Sequence, residues 1–235
     1  MANITPKPTN CNYPRNDRNI IIFGGIAAGK SSLINMLSGG DMTMVSDDVR
    51  GCTPESAPNP ITIGDTQYIL WDTVGLNEGE NGTVPIGEAL YSLRDLVHKL
   101  KDGVNLLVYC LRAARYRDIM KANYDMFVHA ICEGQVPVVI VVTGLENEGR
   151  MEDWWDANGR KYEEHGMMFA GYACITTTKG KNNVFLEEYE ESKKIVQDVI
   201  SKYCPEKAWA TSPDVWFGQT SDRIKDGSLI HEHLL

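Results

Sequence analysis

The stretch NIIIFGGIAAGKSS, residues 19–32, joins an unbroken β-branched run to a glycine-bounded loop and then to a segment of helical period. Its reading decides the fold. Gly24 to Ser31 satisfies the GxxxxGK[ST] spacing, and the strand before it and helix after it are the context that spacing requires. Small residues let successive backbone N–H groups turn inward on a phosphate, and the helix N-terminus adds a favourable dipole. Ala27, Ala28, Gly29, Lys30, Ser31 and Ser32 are therefore read as phosphate-contacting. Lys30 is placed to reach the β- and γ-phosphates, and the Ser31 hydroxyl to ligate Mg²⁺.

Outward from this loop, short β-rich runs alternate with longer helical segments, as crossover units around a mostly parallel sheet do. Strands are expected at 19–23, 105–110, 137–142 and 170–176, whose near-continuous apolar character suits strands covered on both faces. Residues 61–63 and 67–72 flank Gly64-Asp65-Thr66, which reads as a hairpin turn and supplies one antiparallel strand. Helices are expected at 30–38, 88–100, 118–132 and 185–203. The fold class is thus α/β: a three-layer, mostly parallel six-stranded sheet with helices on both faces. Residues 1–18 read as a flexible N-terminal segment, 19–204 as the globular domain and 205–235 as a C-terminal extension, whose Trp209, Trp216 and Phe217 are expected to pack back on the body, with service to a partner as the alternative.

Composition removes several classes of function. A formal charge of −9 offers no basic field to hold nucleic acid or anionic lipid. No run of about 18 apolar residues appears, so no transmembrane segment is expected, and the N-terminus lacks the apolar region of a secretory signal. Six cysteines are scattered without CxxC pairs, as reduced core cysteines are, and the five histidines lack metal-ligand spacing. A cytoplasmic protein is the expectation.

Two long connections, 39–60 and 73–87, are rich in Gly, Asp, Asn and Thr, and loops of that length in a compact domain are usually functional. Asp72 ends a strand and opens the second of them as Asp72-Thr73-Val74-Gly75. A carboxylate there can hold Mg²⁺, and Gly75 lets a backbone N–H approach a γ-phosphate, which couples loop order to nucleotide state. In the first connection Thr53 is the expected second Mg²⁺-ligating hydroxyl, with Thr43 as its rival.

Together these residues resemble the G domain of translation-factor-related GTPases, and within them the septin, AIG1/GIMAP and Toc group, over roughly residues 18–204. The segment NLLVYCLRAARYR, 105–117, carries the narrower likeness through Arg112 and the Tyr116-Arg117 pair. The resemblance implies GTP or GDP as ligand and a nucleotide-dependent homodimer through the G-domain face. It also implies a base-reading motif after the fifth core strand, where Thr143-Gly144-Leu145-Glu146 stands. Thr143 and Glu146 are the expected contacts, Glu146 accepting from guanine N1–H and the exocyclic amine. Gly144 replaces the lysine of the family pattern, and a lysine restored there is expected to tighten GTP binding. Thr177, in the loop Thr176-Thr177-Thr178-Lys179, is expected near the base oxygen.

Leu76 takes the place of the glutamine that orients water in Ras-like switches, so slow intrinsic GTP hydrolysis is expected. Ile26 hinders a Ras-type arginine route. Arg50 in cis, or Arg112, Arg115 or Arg117 across a dimer, is the candidate for the missing charge. Lys30, Thr53, Arg50 and Arg117 make up the expected catalytic set. A non-hydrolysing binding or scaffold module stands as the alternative, and a P-loop ATPase or kinase as a more distant one.

Overall fold

In a computed structural model of the chain, the residues described are 17–39, 58–73, 96, 99, 100 and 102–210. The chain order is β1 (Arg18–Phe23), α1 (Lys30–Ser38), β2 (Pro58–Ile63), β3 (Thr66–Asp72), β4 (Leu106–Arg112), α2 (Asp118–Asp125), a π-helical turn (Met126–Ile131), β5 (Val138–Thr143), α3 (Asp153–Glu164), β6 (Gly171–Cys174) and α4 (Leu186–Tyr203). The strands form one six-stranded sheet in the order β2-β3-β1-β4-β5-β6. Every pairing is parallel except β2 with β3, the predicted hairpin. Its turn is tighter than the sequence suggests, because Thr66 already pairs with Ile63.

Alternation along each strand divides the core into two layers. Ile21, Phe23, Leu107, Tyr109, Ile140 and Val142 face the α2 side, packing with Tyr124, Phe127 and Ile131. Ile20, Ile22, Val108, Val139 and Val141 face the other side, against Leu33 and Ile34 of α1 and Val196 and Ile200 of α4. Burial on both faces is the reason these strands read as continuous apolar runs. The described cysteines, Cys110, Cys132, Cys174 and Cys204, are buried and free. Cys11 and Cys52 lie outside the described residues.

The segment 118–132, read as one helix, changes character within its length. It is α-helical to Asp125 and then π-helical to Ile131, with the Cys132 N–H donating to the Phe127 carbonyl. The wider turn brings Phe127, Val128 and Ile131 inward together. The irregular stretch after β5 contains α3, whose Trp154 and Trp155 pack on the α2-side core. Of the expected helix 88–100, only Leu96, Lys99 and Leu100 are described. At the opposite end of the sheet, Trp209 pairs with Val104 and packs on the core, while the Asn105 side-chain amide donates to the carbonyls of Pro205 and Glu206. The start of the C-terminal extension is therefore fastened to the body; Trp216 and Phe217 lie outside the described residues. Among the described residues no helix is long and apolar enough to cross a membrane.

Candidate functional site: a phosphate loop and a base loop at the strand ends

Parallel register brings the ends of β1, β3, β4 and β5 to one edge of the sheet, since Ile22 pairs with Asp72, Phe23 with Tyr109 and Arg112 with Thr143. The phosphate loop crosses this edge. Gly24 takes φ +144, and a Cβ there would stand 2.0 Å from the Cys110 carbonyl oxygen, so only glycine lets the chain leave β1 against β4. Ala27 and Gly29 also have positive φ, at +57 and +90, which turns the loop back on itself.

Two neighbouring strands hold the loop from beneath. The Thr143 hydroxyl donates to the Ala28 carbonyl at 2.8 Å, and the Cys110 thiol donates to the same oxygen at 3.0 Å. Burial pushes the Cys110 thiol up to about 12, so it remains a neutral donor. Helix α1 begins at Lys30 with no side-chain cap on its first turn, an arrangement that leaves N–H groups for an anion. The Lys30 ammonium bends over the loop, donating to the carbonyls of Gly24 at 3.0 Å and Gly25 at 2.9 Å.

Ser31 and Asp72 meet as the sequence predicts. The Ser31 hydroxyl donates to Asp72 Oδ2 at 3.0 Å, while Asp72 Oδ1 is buried with no hydrogen-bond partner among the described residues. Burial raises the Asp72 carboxyl above its ordinary range, an effect partly offset by the Ser31 hydroxyl, the Lys30 charge and the Thr73 N–H. A buried carboxylate with an unmatched oxygen beside a hydroxyl suits a hard divalent cation, and Mg²⁺ fits this donor set. Thr53, Thr43, Arg50, Gly75 and Leu76 lie outside the described residues.

The base loop follows β5. Glu146 Oε2 accepts from the Thr176 hydroxyl at 3.3 Å, which ties the candidate base carboxylate to the loop after β6. Thr176 is buried and its N–H donates to the Ser192 hydroxyl, while the Thr178 N–H turns back onto Thr176 Oγ1. Thr177 stands between them, partly exposed. Thr143, read as a nucleotide contact, spends its hydroxyl on the phosphate loop and so acts as a positioning residue.

The geometry at position 144 weighs against a lysine there. Gly144 has φ +81, and a Cβ there would come within 3.3 Å of Arg112 Cγ and 3.4 Å of Arg112 Nε. A lysine would press on the Arg112 side chain, which would have to give by a few tenths of an ångström, and it would sit in a backbone conformation that L side chains rarely adopt. Arg112 is what sequence reasoning missed here; the signal lay in β4–β5 register, which sets Arg112 beside Thr143. Arg112 and Arg117 also line a cleft of about 180 Å³ against Ile26 and Ala27. Ile26 is 53% exposed.

Residues 19–144 match the family described as 50S ribosome-binding GTPase. The chain belongs to this GTPase family. Its body is a P-loop, GTP-binding G domain, and the match runs from β1 to Gly144, ending just short of Glu146. GTPase Der from Rhodopseudomonas palustris (strain BisB5) is 26% identical over 189 residues, covering 77% of this chain and 39% of Der. The chain thus spans well under half the length of that relative. Among solved structures, Era from Aquifex aeolicus bound to GDP·AlF4⁻ superposes with a TM-score of 0.53 at 20% identity, over 83% of this chain and 60% of Era. Toc33 from Arabidopsis thaliana in complex with GDP and Mg²⁺ gives 0.55 at 17% identity, over 84% of this chain and 88% of Toc33. At these identities the superpositions speak for the fold of the G domain.

Proposed function

We propose that this G domain is a Mg²⁺-dependent GTPase that hydrolyses GTP slowly and changes conformation with nucleotide state. The observation that carries the reading is the Ser31–Asp72 pair with its unmatched buried oxygen, set beside a phosphate loop that two other strands support. The loop N–H groups and Lys30 bind the β- and γ-phosphates; Lys30 gives up its carbonyl partners to do so. Mg²⁺, when bound at Ser31 and Asp72 with Thr53 as a third ligand, neutralises charge on the phosphate oxygens. Glu146 selects guanine, Thr177 lies against the base oxygen, and Gly75 couples the loop after Asp72 to the γ-phosphate. The solved neighbours' ligands, GDP·AlF4⁻ for Era and GDP with Mg²⁺ for Toc33, support the same choice of ligand and ion.

Slow turnover follows from Leu76, which cannot orient water. Arg50 is the cis candidate for the missing charge. In the finer reading, the chain groups with the septin, AIG1/GIMAP and Toc GTPases, and a homodimer supplies Arg115 or Arg117 in trans. Both arginines are exposed, and Arg117 lines the same cleft as the exposed Ile26, which supports that route. Flat turnover per molecule from sub-micromolar to high-micromolar protein would remove the dimer from the reading. Cytoplasmic placement belongs to the same proposal.

Single-turnover release of phosphate from bound GTP tests the core of it. Release that is slow but requires Mg²⁺ is expected. Retention of intact GTP over many hours, with Mg²⁺ present, would leave a binding module, the alternative that Leu76 favours.

A further inference from the structure

A purine site needs an edge that reads hydrogen bonds and a flat partner for the ring face. Glu146 can supply the edge. Gly144, on the loop between β5 and Glu146, has no side chain to supply the face. The space where its side chain would begin is bordered closely by Arg112. Arg112 Cγ, Nε and Cζ lie 3.3, 3.4 and 3.8 Å from the position of a Gly144 Cβ, so the arginine stem runs along this loop. Register explains how it gets there: Arg112 pairs with Thr143 on the last rung of β4–β5, and its side chain then covers the next residue. Arg112 is exposed, so its guanidinium is accessible to a ligand bound at this loop. A guanidinium is flat, cationic and weakly hydrated, and it stacks on π-faces in a way an ammonium does not.

We propose that Arg112 forms a wall of the base site, stacking its guanidinium on the purine face while Glu146 reads the edge. Gly144 provides the clearance for that stem, and its φ of +81 keeps the loop close beneath it. The role is in cis, distinct from delivery of an arginine across a dimer. It rests on the guanine-nucleotide reading given above.

The test is equilibrium titration of the full chain with GDP, IDP and ADP in Mg²⁺, with inorganic pyrophosphate as a competitor that occupies the phosphate loop without a base. Arg112→Ala is expected to weaken GDP and IDP by the same factor, about 5- to 30-fold, because loss of stacking is indifferent to the exocyclic amine. Pyrophosphate competition stays unchanged, and Arg112→Lys falls between alanine and wild type. Gly144→Lys weakens GDP in the wild-type background and does so less on top of Arg112→Ala, since the crowding against Arg112 is then relieved while the strain of the positive φ remains. An Arg112→Ala affinity within twofold of wild type overturns the assignment. So does a different factor for GDP and IDP, an equal loss of pyrophosphate, a loss that depends on protein concentration, or strict additivity of the two substitutions. A wild type that binds ADP as tightly as GDP overturns the guanine reading instead; the Arg112 comparison stays readable, because a stacked plane accepts any purine.

Discussion

The phosphate end and the base end of this site sit on the same sheet edge yet are made in different ways. At the phosphate end the working groups are backbone N–H groups, and the supporting contacts are buried: Thr143 and Cys110 converge on one carbonyl, and Gly24 rests on the Cys110 backbone. At the base end the working groups are side chains on the loops after β5 and β6, joined by long hydrogen bonds from the Thr176 hydroxyl to Glu146 and from the Leu145 N–H to the Ile175 carbonyl. A site made of backbone admits little change in sequence, because any Cβ at Gly24 meets another strand. A site made of side chains can exchange one for a neighbour's, and Arg112 over Gly144 is such an exchange. The family pattern is therefore intact from Gly24 to Ser31 and altered from Thr143 to Glu146.

If the two ends are separable, each should fail in its own way. The largest effect is expected for Lys30→Ala, which removes the charge held over the loop. GTP affinity should fall by about 30- to 5,000-fold, in line with the 2–5 kcal/mol lost when one partner of a shielded charge pair is truncated. Displacement of a fluorescent GTP analogue reads this directly, and the loss should be the same for any nucleoside triphosphate. Glu146→Ala is next, and opposite in kind. It should weaken GTP by about 10- to 100-fold, the value of hydrogen bonds to a charged group, while leaving ATP affinity where it was. A Glu146 variant that weakens both nucleotides equally would show that the carboxylate supports the loop and does not read the base.

Thr143→Val probes the seam between the ends. Thr143 belongs by sequence to the base motif and by hydrogen bonding to the phosphate loop. The expected result is a loss of about 1 kcal/mol in stability by urea titration, together with a similar weakening of GTP and ATP. The Cys110 thiol keeps a donor on the Ala28 oxygen, which limits the damage. Selective loss of GTP would instead return Thr143 to the base site.

What the sequence made legible follows the same division. Strand β1, the loop, helix α1 over residues 30–38 and the β2–β3 hairpin are local patterns, with spacing that depends on a few consecutive residues. Helix α1 matches its predicted bounds at both ends. Ser31 and Asp72 were legible too, although far apart, because each ends a recognisable strand or opens a recognisable helix. The π-helical turn at Met126–Ile131 was not, since its apolar residues satisfy an α-helical period as well. Nor was the Arg112–Gly144 contact, which exists only once β4 and β5 are paired in one particular register. Periodicity reports which residues face the core; it does not report which exposed side chain lies across which loop.

Asp72→Asn gives the smallest shift and the most direct test of what the phosphate end is built to hold. In the nucleotide-free protein the folded state binds the Asp72 proton more tightly than the unfolded chain does, because burial outweighs the Ser31, Lys30 and Thr73 contributions. The unfolded state therefore loses its proton first as pH rises. Through the window from the ordinary aspartate range up to the raised folded value, stability falls with pH, and above that window the cost is constant. Asparagine removes a buried negative charge, so at pH 7.5 and without Mg²⁺ the variant should melt higher than wild type by roughly 2–4 °C, the shift that ~1 kcal/mol gives in a domain of this size. At acid pH, where wild-type Asp72 is protonated in both states, the difference should vanish. Saturating Mg²⁺ and GDP should reverse the order, since a ligand raises Tm through its affinity for the folded state and the carboxylate is where the cation gains it. A variant that melts lower than wild type in both conditions would mean that Asp72 serves the fold through Ser31 alone and that its unmatched oxygen is not a metal ligand.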